Sequence, residues 1–309
     1  MNNQDRTSRW PDVGVVLATH NRPELMRRAL QSILGQDYPG RIVVSVVHDR
    51  CAVDHDLVQE RPTRVVTVTE NARAPGLAGA RNSGVLSVDT ELIAFCDDDD
   101  YWQESKLSRQ VAAFRDSDAE FASTAMLVSY DGHESQRLAG QNQIRYEDLL
   151  RSRMAMVHSS SFLMNRDALV DGIGLVDESI PESMCEDWDL LLRAAKRQPI
   201  LHVDEPLVVV EWGNSYFNER WAVKNTAHQW MLEHHPDILT SRVGAGRVYG
   251  QLAFGNAALR QRRSAVTWAL RSLRSNIREP RAVLALVVAT GVVSDATVMR
   301  QLQKRGHGI

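Results

Sequence analysis

Apolar and polar positions alternate in blocks over the first 115 residues. The run VGVVLA (13–18) is short, unbroken and rich in valine, as a strand buried on both faces should be, and a polar stretch follows it. After Asn21, which is placed to cap a helix, and Pro23 in a first turn, Leu25, Ala29, Leu30, Ile33 and Leu34 fall on one helical face. RIVVSVV (41–47), RVVTV (64–68) and ELIAFC (91–96) repeat the strand pattern, and GLAGARNSGVLSV between the last two reads as a helix after its glycines. Strand and helix in alternation predict an α/β layer with a largely parallel sheet. From 116 onward the pattern is mixed, with strands at FASTAMLVSY, SSSFLMN and ILHVDEPLVVVEW and a helix at DWDLLLRAAKR. Beyond HHP (234–236) apolar residues recur at three and four spacing with arginines opposite, and two short helical units separated by REPRA can form a hairpin. The chain thus divides into an α/β domain over 1–239 and a basic helical domain over 240–309.

Composition adds an asymmetry to this division. The formal net charge of -3 is the sum of about +10 on residues 242–309, where Glu279 and Asp295 are the acids against twelve Lys and Arg, and about -13 on the rest. Three readings fit the basic tail: a solvated helical face, contact with an anionic membrane surface or anionic acceptor, and, least well, nucleic acid, because stacking aromatics are not interleaved with the arginines. Three cysteines without metal-type pairing suit a reducing compartment, and MNNQDRTSRWPD lacks the apolar core of a cleavable signal. The longest apolar run, AVLALVVATGVV (282–293), falls short of the ~20 residues of a membrane span. These features point to a cytoplasmic protein whose basic helices can reach the inner face of the membrane; they leave the oligomeric state open.

The chemistry gathers at predicted strand ends. Ligands of open parallel sheets bind beyond the carboxyl ends of the strands, and there stand Thr19 to Arg22, Asp49, and the run Asp97 to Asp100 in LIAFCDDDDYW. Four adjacent carboxylates repel one another, so a divalent cation is expected among them; Mg2+ and Mn2+ take oxygen ligands and leave positions open for phosphate. Along an extended segment, alternation points Asp97 and Asp99 one way and Asp98 and Asp100 the other. ESMCEDWDLLLRAA sets Glu186, Asp187 and Asp189 at the start of a helix, whose dipole keeps a carboxylate ionised; Asp187 can serve there as a base or as a plain cap.

VVLATHNRPELMRRALQSILGQ, VVHDRC, GLAGARNSGV, LIAFCDDDDYW and CEDWDLLLRAA occur in the order found in family 2 glycosyltransferases, and the chain resembles that family over about residues 13–212. The resemblance implies a GT-A fold and inverting transfer of a sugar from a nucleotide diphosphate sugar to an acceptor hydroxyl, assisted by Mg2+ or Mn2+. By position it makes Thr19, Asn21 and Arg22 the first nucleotide-binding loop and Asp49 the base-binding acid, although HDRC replaces the family's D-D-G-S. Arg81 and Asn82 match its A-R-N motif. It sets Asp97 near the ribose and Asp99 on the metal, with Asp98 or Asp100 taking those parts if the loop is shifted by one. Glu186 and Asp187 match its E-D motif, with Asp187 as base, Trp188 beside acceptor or sugar, and His158 on the acceptor side. EWGNSYFNERW resembles its late segment over the donor, and His202, His228, His234 and His235 are candidates for a further metal ligand. The alternatives are a sugar-phosphate nucleotidyltransferase, whose basic glycine-rich loop ATHNRPE does not supply, and a silent nucleotide- or glycan-binding protein, which would need neither DDDD nor CEDW.

Overall fold

The computed structural model describes residues 9–130, 132–211 and 220–304, and the chain forms two compact units. The first comprises 1–145, 154–178 and 190–214; the second comprises 146–153, 179–189 and 215–309. The basic helical stretch from 240 lies within the second unit, together with segments that its apolar pattern alone does not set apart. Residues 1–8 and 212–219, the latter within EWGNSYFNERW, lie outside the described residues.

In the first unit β1 (Val13–Thr19) is buried at all seven positions. It pairs in parallel with β2 (Ile42–His48) and with β5 (Leu92–Asp97), and β2 pairs in parallel with β4 (Arg64–Glu70), beyond which lies the short β3 (Gln59–Glu60). With β6 (Tyr101–Trp102), β7 (Phe121–Tyr130), β8 (His133–Arg137), β9 (Gln143–Ile144), β10 (Leu163–Asn165) and β11 (Ile200–Glu211), the sheet runs β3-β4-β2-β1-β5-β10-β7-β11-β6. β10 is antiparallel to both its neighbours, so the sheet is mixed beyond β5. Between β1 and β5 successive strands lie on opposite sides of the first, the switch point at which such sheets bind ligands. Register brings the chemistry to one level there: Thr19 lies opposite His48, and Ala18 opposite Asp97.

The helices α1 (Pro23–Leu34), α2 (Leu77–Ser87) and α3 (Lys106–Arg115) complete this half. α1 buries Met26, Ala29, Leu30 and Ile33 in a core shared with Val15, Leu17 and Val44. No side chain caps it: Arg22 precedes Pro23, and Asn21 instead adopts φ 53°, the left-handed conformation that asparagine tolerates. The glycines of α2 serve packing, since a Cβ on Gly84 would stand 2.3 Å from Val16 Cγ1 and one on Gly79 would stand 1.9 Å from the Ala74 carbonyl oxygen.

The second unit contains α4 (Tyr146–Arg151), the first residues of α5 (Glu186–Arg197), and α6 (Trp221–His234), α7 (Arg242–Ala258), α8 (Arg262–Ser275), α9 (Pro280–Thr290) and α10 (Asp295–Lys304). α7 is small-residue rich and buried over most of its length, and α6, α8 and α9 pack on it around Phe254, Ala265, Ala269, Ala282 and Ala285. Ser241 caps α7 by accepting from the Gly244 amide at 3.1 Å. No helix among the described residues is long and apolar enough to cross a membrane.

Candidate active site

The four aspartates of the first unit do not alternate. The Asp100 amide donates to the Asp97 carbonyl oxygen at 3.2 Å, closing a turn, so the first and last carboxylates of the run come together. The 3-10 segment Ser159–Ser161 meets them: Ser159 Oγ donates to Asp97 Oδ2 at 2.9 Å, and Ser160 Oγ accepts from the Asp97 amide at 3.0 Å while donating to Asp100 Oδ2 at 2.5 Å. His158 Nδ1 stands 3.3 Å from Asp100 Oδ2. One donor atom each from Asp97, Asp100 and His158 lie within 4.8 Å of one another, a set that can hold a divalent cation.

Electrostatics fit that cation. Burial pushes Asp100 well above the usual carboxylate range, and the charges of Asp97 and Asp99 push it further than the Ser160 hydroxyl can offset. Burial also raises Asp97, but Arg81, His158 and Ser159 outweigh it and hold that carboxyl below its ordinary value. Burial lifts Asp98 to about 6, against the Thr19 bond, with the charge of Asp99 adding to it, and burial with the charge of Asp97 raises Asp99. An ion among these oxygens would relieve the repulsion that otherwise makes the turn hold protons. Asp99 itself faces Arg22 at 2.9 Å, and Arg22 also reaches Asp98 at 3.4 Å.

Of the other expected nucleotide-side residues, Thr19 and Arg81 join Arg22 at the turn. Thr19 Oγ1 donates to Asp98 Oδ2 at 2.8 Å. Arg81 is 2% exposed, with Nη2 on Asp97 Oδ1 at 2.5 Å and its guanidinium over the Phe95 ring. Asn82 binds elsewhere: it donates to the Val176 carbonyl and to Glu178, and accepts from the Val176 amide, pinning the loop there. Asp49 is buried; burial pushes it up, but donation from Asn71, the Gly76 amide and Arg50 brings it below its ordinary value. Asp49 thereby fixes the loop that leads into α2.

In the second unit Glu186, Asp187 and Asp189 occupy the first turn of α5, all buried. Asp187 pairs with Arg153 and accepts the Trp188 amide at 2.8 Å; Asp187 raises the guanidinium of Arg153 above its ordinary value. Asp189 Oδ1 lies 2.8 Å from His235 Nε2, within hydrogen-bond distance. Trp188 is 3% exposed and gives its indole N–H to the Leu149 carbonyl. Before the helix Glu182, Ser183 and Cys185 all have positive φ, a concentration of backbone strain of the kind found at functional sites.

Among the histidines, His158 joins the acidic turn. His202 Nδ1 is 2.9 Å from Ser123 Oγ, His234 stacks on Trp230, and His228 is buried enough to be pushed down to about 4. Sequence reading missed Ser159 and Ser160. Three consecutive hydroxyls leading into the apolar FLM were the available signal, since buried serines need partners.

Sheet order, switch point and acidic turn define a GT-A-type α/β domain. The family model for glycosyl transferase family 2 matches residues 14–172, just over half of the chain, and the protein belongs to that family. A putative teichuronic acid biosynthesis glycosyltransferase of Bacillus subtilis, TuaG, is 26% identical over 151 residues, 46% of this chain and 58% of TuaG. The chain therefore spans little more than half of that relative. Residues 1–349 of S. aureus TarS in complex with UDP-GlcNAc superimpose with a TM-score of 0.60 at 17% identity, covering 91% of each chain. The mannosyltransferase PcManGT of Pyrobaculum calidifontis, solved with GDP-Man and Mn2+, gives 0.54 at 16% identity over 97% of this chain and 81% of that one. At these identities both structures bear on the fold.

Proposed function

We propose that the protein is an inverting glycosyltransferase that moves a sugar from a nucleotide diphosphate sugar to the hydroxyl of a glycan, lipid-linked glycan or other acceptor, with Mg2+ or Mn2+. The observation that carries this reading is the turn at 97–100, where buried carboxylates stand with His158 beyond a strand at the sheet's switch point. The TarS and PcManGT complexes, with a UDP-sugar and a GDP-sugar, support the donor class, and the Mn2+ of the second supports the ion.

Asp97, Asp100 and His158 would hold the ion, with Asp99 close by in the family's metal position. When bound, the ion supplies Lewis-acid stabilisation to the departing diphosphate. Thr19, Asn21, Arg22, Asp49 and Arg81 belong to the nucleotide side: Arg81 is a rigid planar donor anchored on Asp97, and Asp98 is a ribose ligand whose orientation Thr19 fixes. Asp187 is the base. Its carboxylate takes the proton of the acceptor hydroxyl as that oxygen bonds to the anomeric carbon from the face opposite the leaving group. The bond from that carbon to the phosphate oxygen breaks with its electron pair, and the nucleoside diphosphate leaves. Glu186 flanks the base, and Arg153, paired with it, orients its carboxyl group.

A thermal-shift panel of nucleoside diphosphates, each with Mn2+ and with EDTA, tests the donor half. Stabilisation should require ion and diphosphate together and should rank the bases. Equal shifts with EDTA, or none with any diphosphate, would rule the reading out.

A further inference from the structure

We infer that the α8–α9 hairpin is a docking face for an anionic lipid surface. Of the eleven large apolar side chains exposed among the described residues, seven fall between Leu259 and Val292. The same stretch carries seven arginines, and its one acid, Glu279, is 3% exposed and bound to Arg281. The described surface here is thus apolar and positive with no exposed carboxylate.

Spacing orders it. Arg262, Val266, Leu270 and Arg274 recur every four residues along one ridge of α8, with Val266 40% and Leu270 47% exposed. Ile277, in the turn that follows, is 82% exposed, and Val283 and Val287 repeat the four-residue spacing on α9. The small residues Ala265, Ala269, Ala282 and Ala285 take the core-facing positions, so the larger side chains point outward. Valine, leucine and isoleucine within a rim of arginines match the two layers of a membrane interface, acyl boundary and anionic headgroup.

Nucleic acid would use the charge but not the aliphatic side chains. The stretch's one aromatic, Trp268, is half-buried with Arg271 over its ring. A second copy of the same face would oppose arginine with arginine. The helices lie on the surface, because none among the described residues is long enough to cross.

Sedimentation of the full chain with phosphatidylcholine vesicles, with and without phosphatidylglycerol, tests this without any turnover, so its outcome is separable from that of the donor panel. Binding should require the anionic lipid and fall with added salt. Leu270→Glu with Ile277→Glu, and separately Arg271→Gln with Arg274→Gln, should each lower it by about tenfold or more at unchanged circular dichroism and melting temperature. Equal binding to both vesicles, no binding to either, or retention of all binding by the variants would overturn the assignment. So would light scattering that showed a dimer broken by Leu270→Glu, or binding of single-stranded DNA, lost with the arginines, in a protein that ignores vesicles.

Discussion

Asp97 to Asp100, half of them buried, and the buried Glu186–Asp189 helix start are both acidic clusters, but their counter-charges differ. At the helix start Asp187 has the Arg153 guanidinium and Asp189 has His235, and a helix N-terminus adds its partial positive charge. At the turn Arg81 serves Asp97 and Arg22 is divided between Asp98 and Asp99, which leaves Asp100 with the Ser160 hydroxyl and the His158 ring. Burial therefore drives Asp98, Asp99 and Asp100 up. The helix-start cluster has a guanidinium of its own, as a carboxylate serving as a base requires; the cluster short of positive charge gains most from binding a cation.

The comparison breaks most visibly at the proposed base. Asp187→Asn keeps the shape and removes the proton acceptor, so kcat should fall by roughly 10²–10⁴ while titration calorimetry shows nucleoside diphosphate binding unchanged. Full turnover in that variant would return Asp187 to the role of a helix cap. The next largest effect separates the clusters directly. Asp100→Asn should weaken Mn2+ binding by about tenfold to a hundredfold and leave the melting temperature in EDTA unchanged or higher. Asp189→Leu should leave Mn2+ affinity alone and lower stability by about 1–3 kcal/mol, because the His235 ring loses its hydrogen-bond partner. Ser160→Ala, which frees Asp100 without removing a candidate ligand, should cost Mn2+ affinity about tenfold. If Ser160→Ala binds Mn2+ normally, that hydroxyl does not orient the site.

The strands were legible because their apolar runs are continuous and their ends are marked by polar residues: 13–18, 41–47 and 91–96 all lie within observed strands or one residue from them. The switch point followed from their alternation with helices. Pattern could not show that residues 97–100 leave the strand and turn, since a run of identical residues carries no periodicity; the Asp100-to-Asp97 backbone bond made the difference. Arg81 could be read as a site residue because small neighbours surround it, yet Gly79 and Gly84 are small to let α2 pack against Ala74 and Val16. The tie of Asn82 to Val176 and Glu178 joins residues more than ninety apart, beyond any local signal. Ser160 left a local trace in its run of hydroxyls, but its bond to Asp100, sixty residues away, left none.

A basic residue buried without a counter-ion among the described residues gives the most distinctive test. Lys106 is fully buried, its Nζ lies 3.7 Å from the centre of the Trp102 ring, and it has no hydrogen-bond partner among the described residues. Burial pushes its ammonium down to about 7, against an opposing effect from Cys96. The folded state then sheds this proton at a lower pH than the unfolded chain, whose lysine titrates near 10.5. Between those values the unfolded chain holds more protons, so stability rises with pH there, and the cost of the buried charge is felt in full below about 7. Lys106→Met keeps the volume and removes that cost. Discounting the lost cation–π contact, it should stabilise the protein by on the order of 2–4 kcal/mol at pH 6 and by almost nothing at pH 10, measured by urea unfolding across that range. A gain that does not shrink toward pH 10 would mean that the ammonium is solvated or paired in solution, and that its burial does not set its titration.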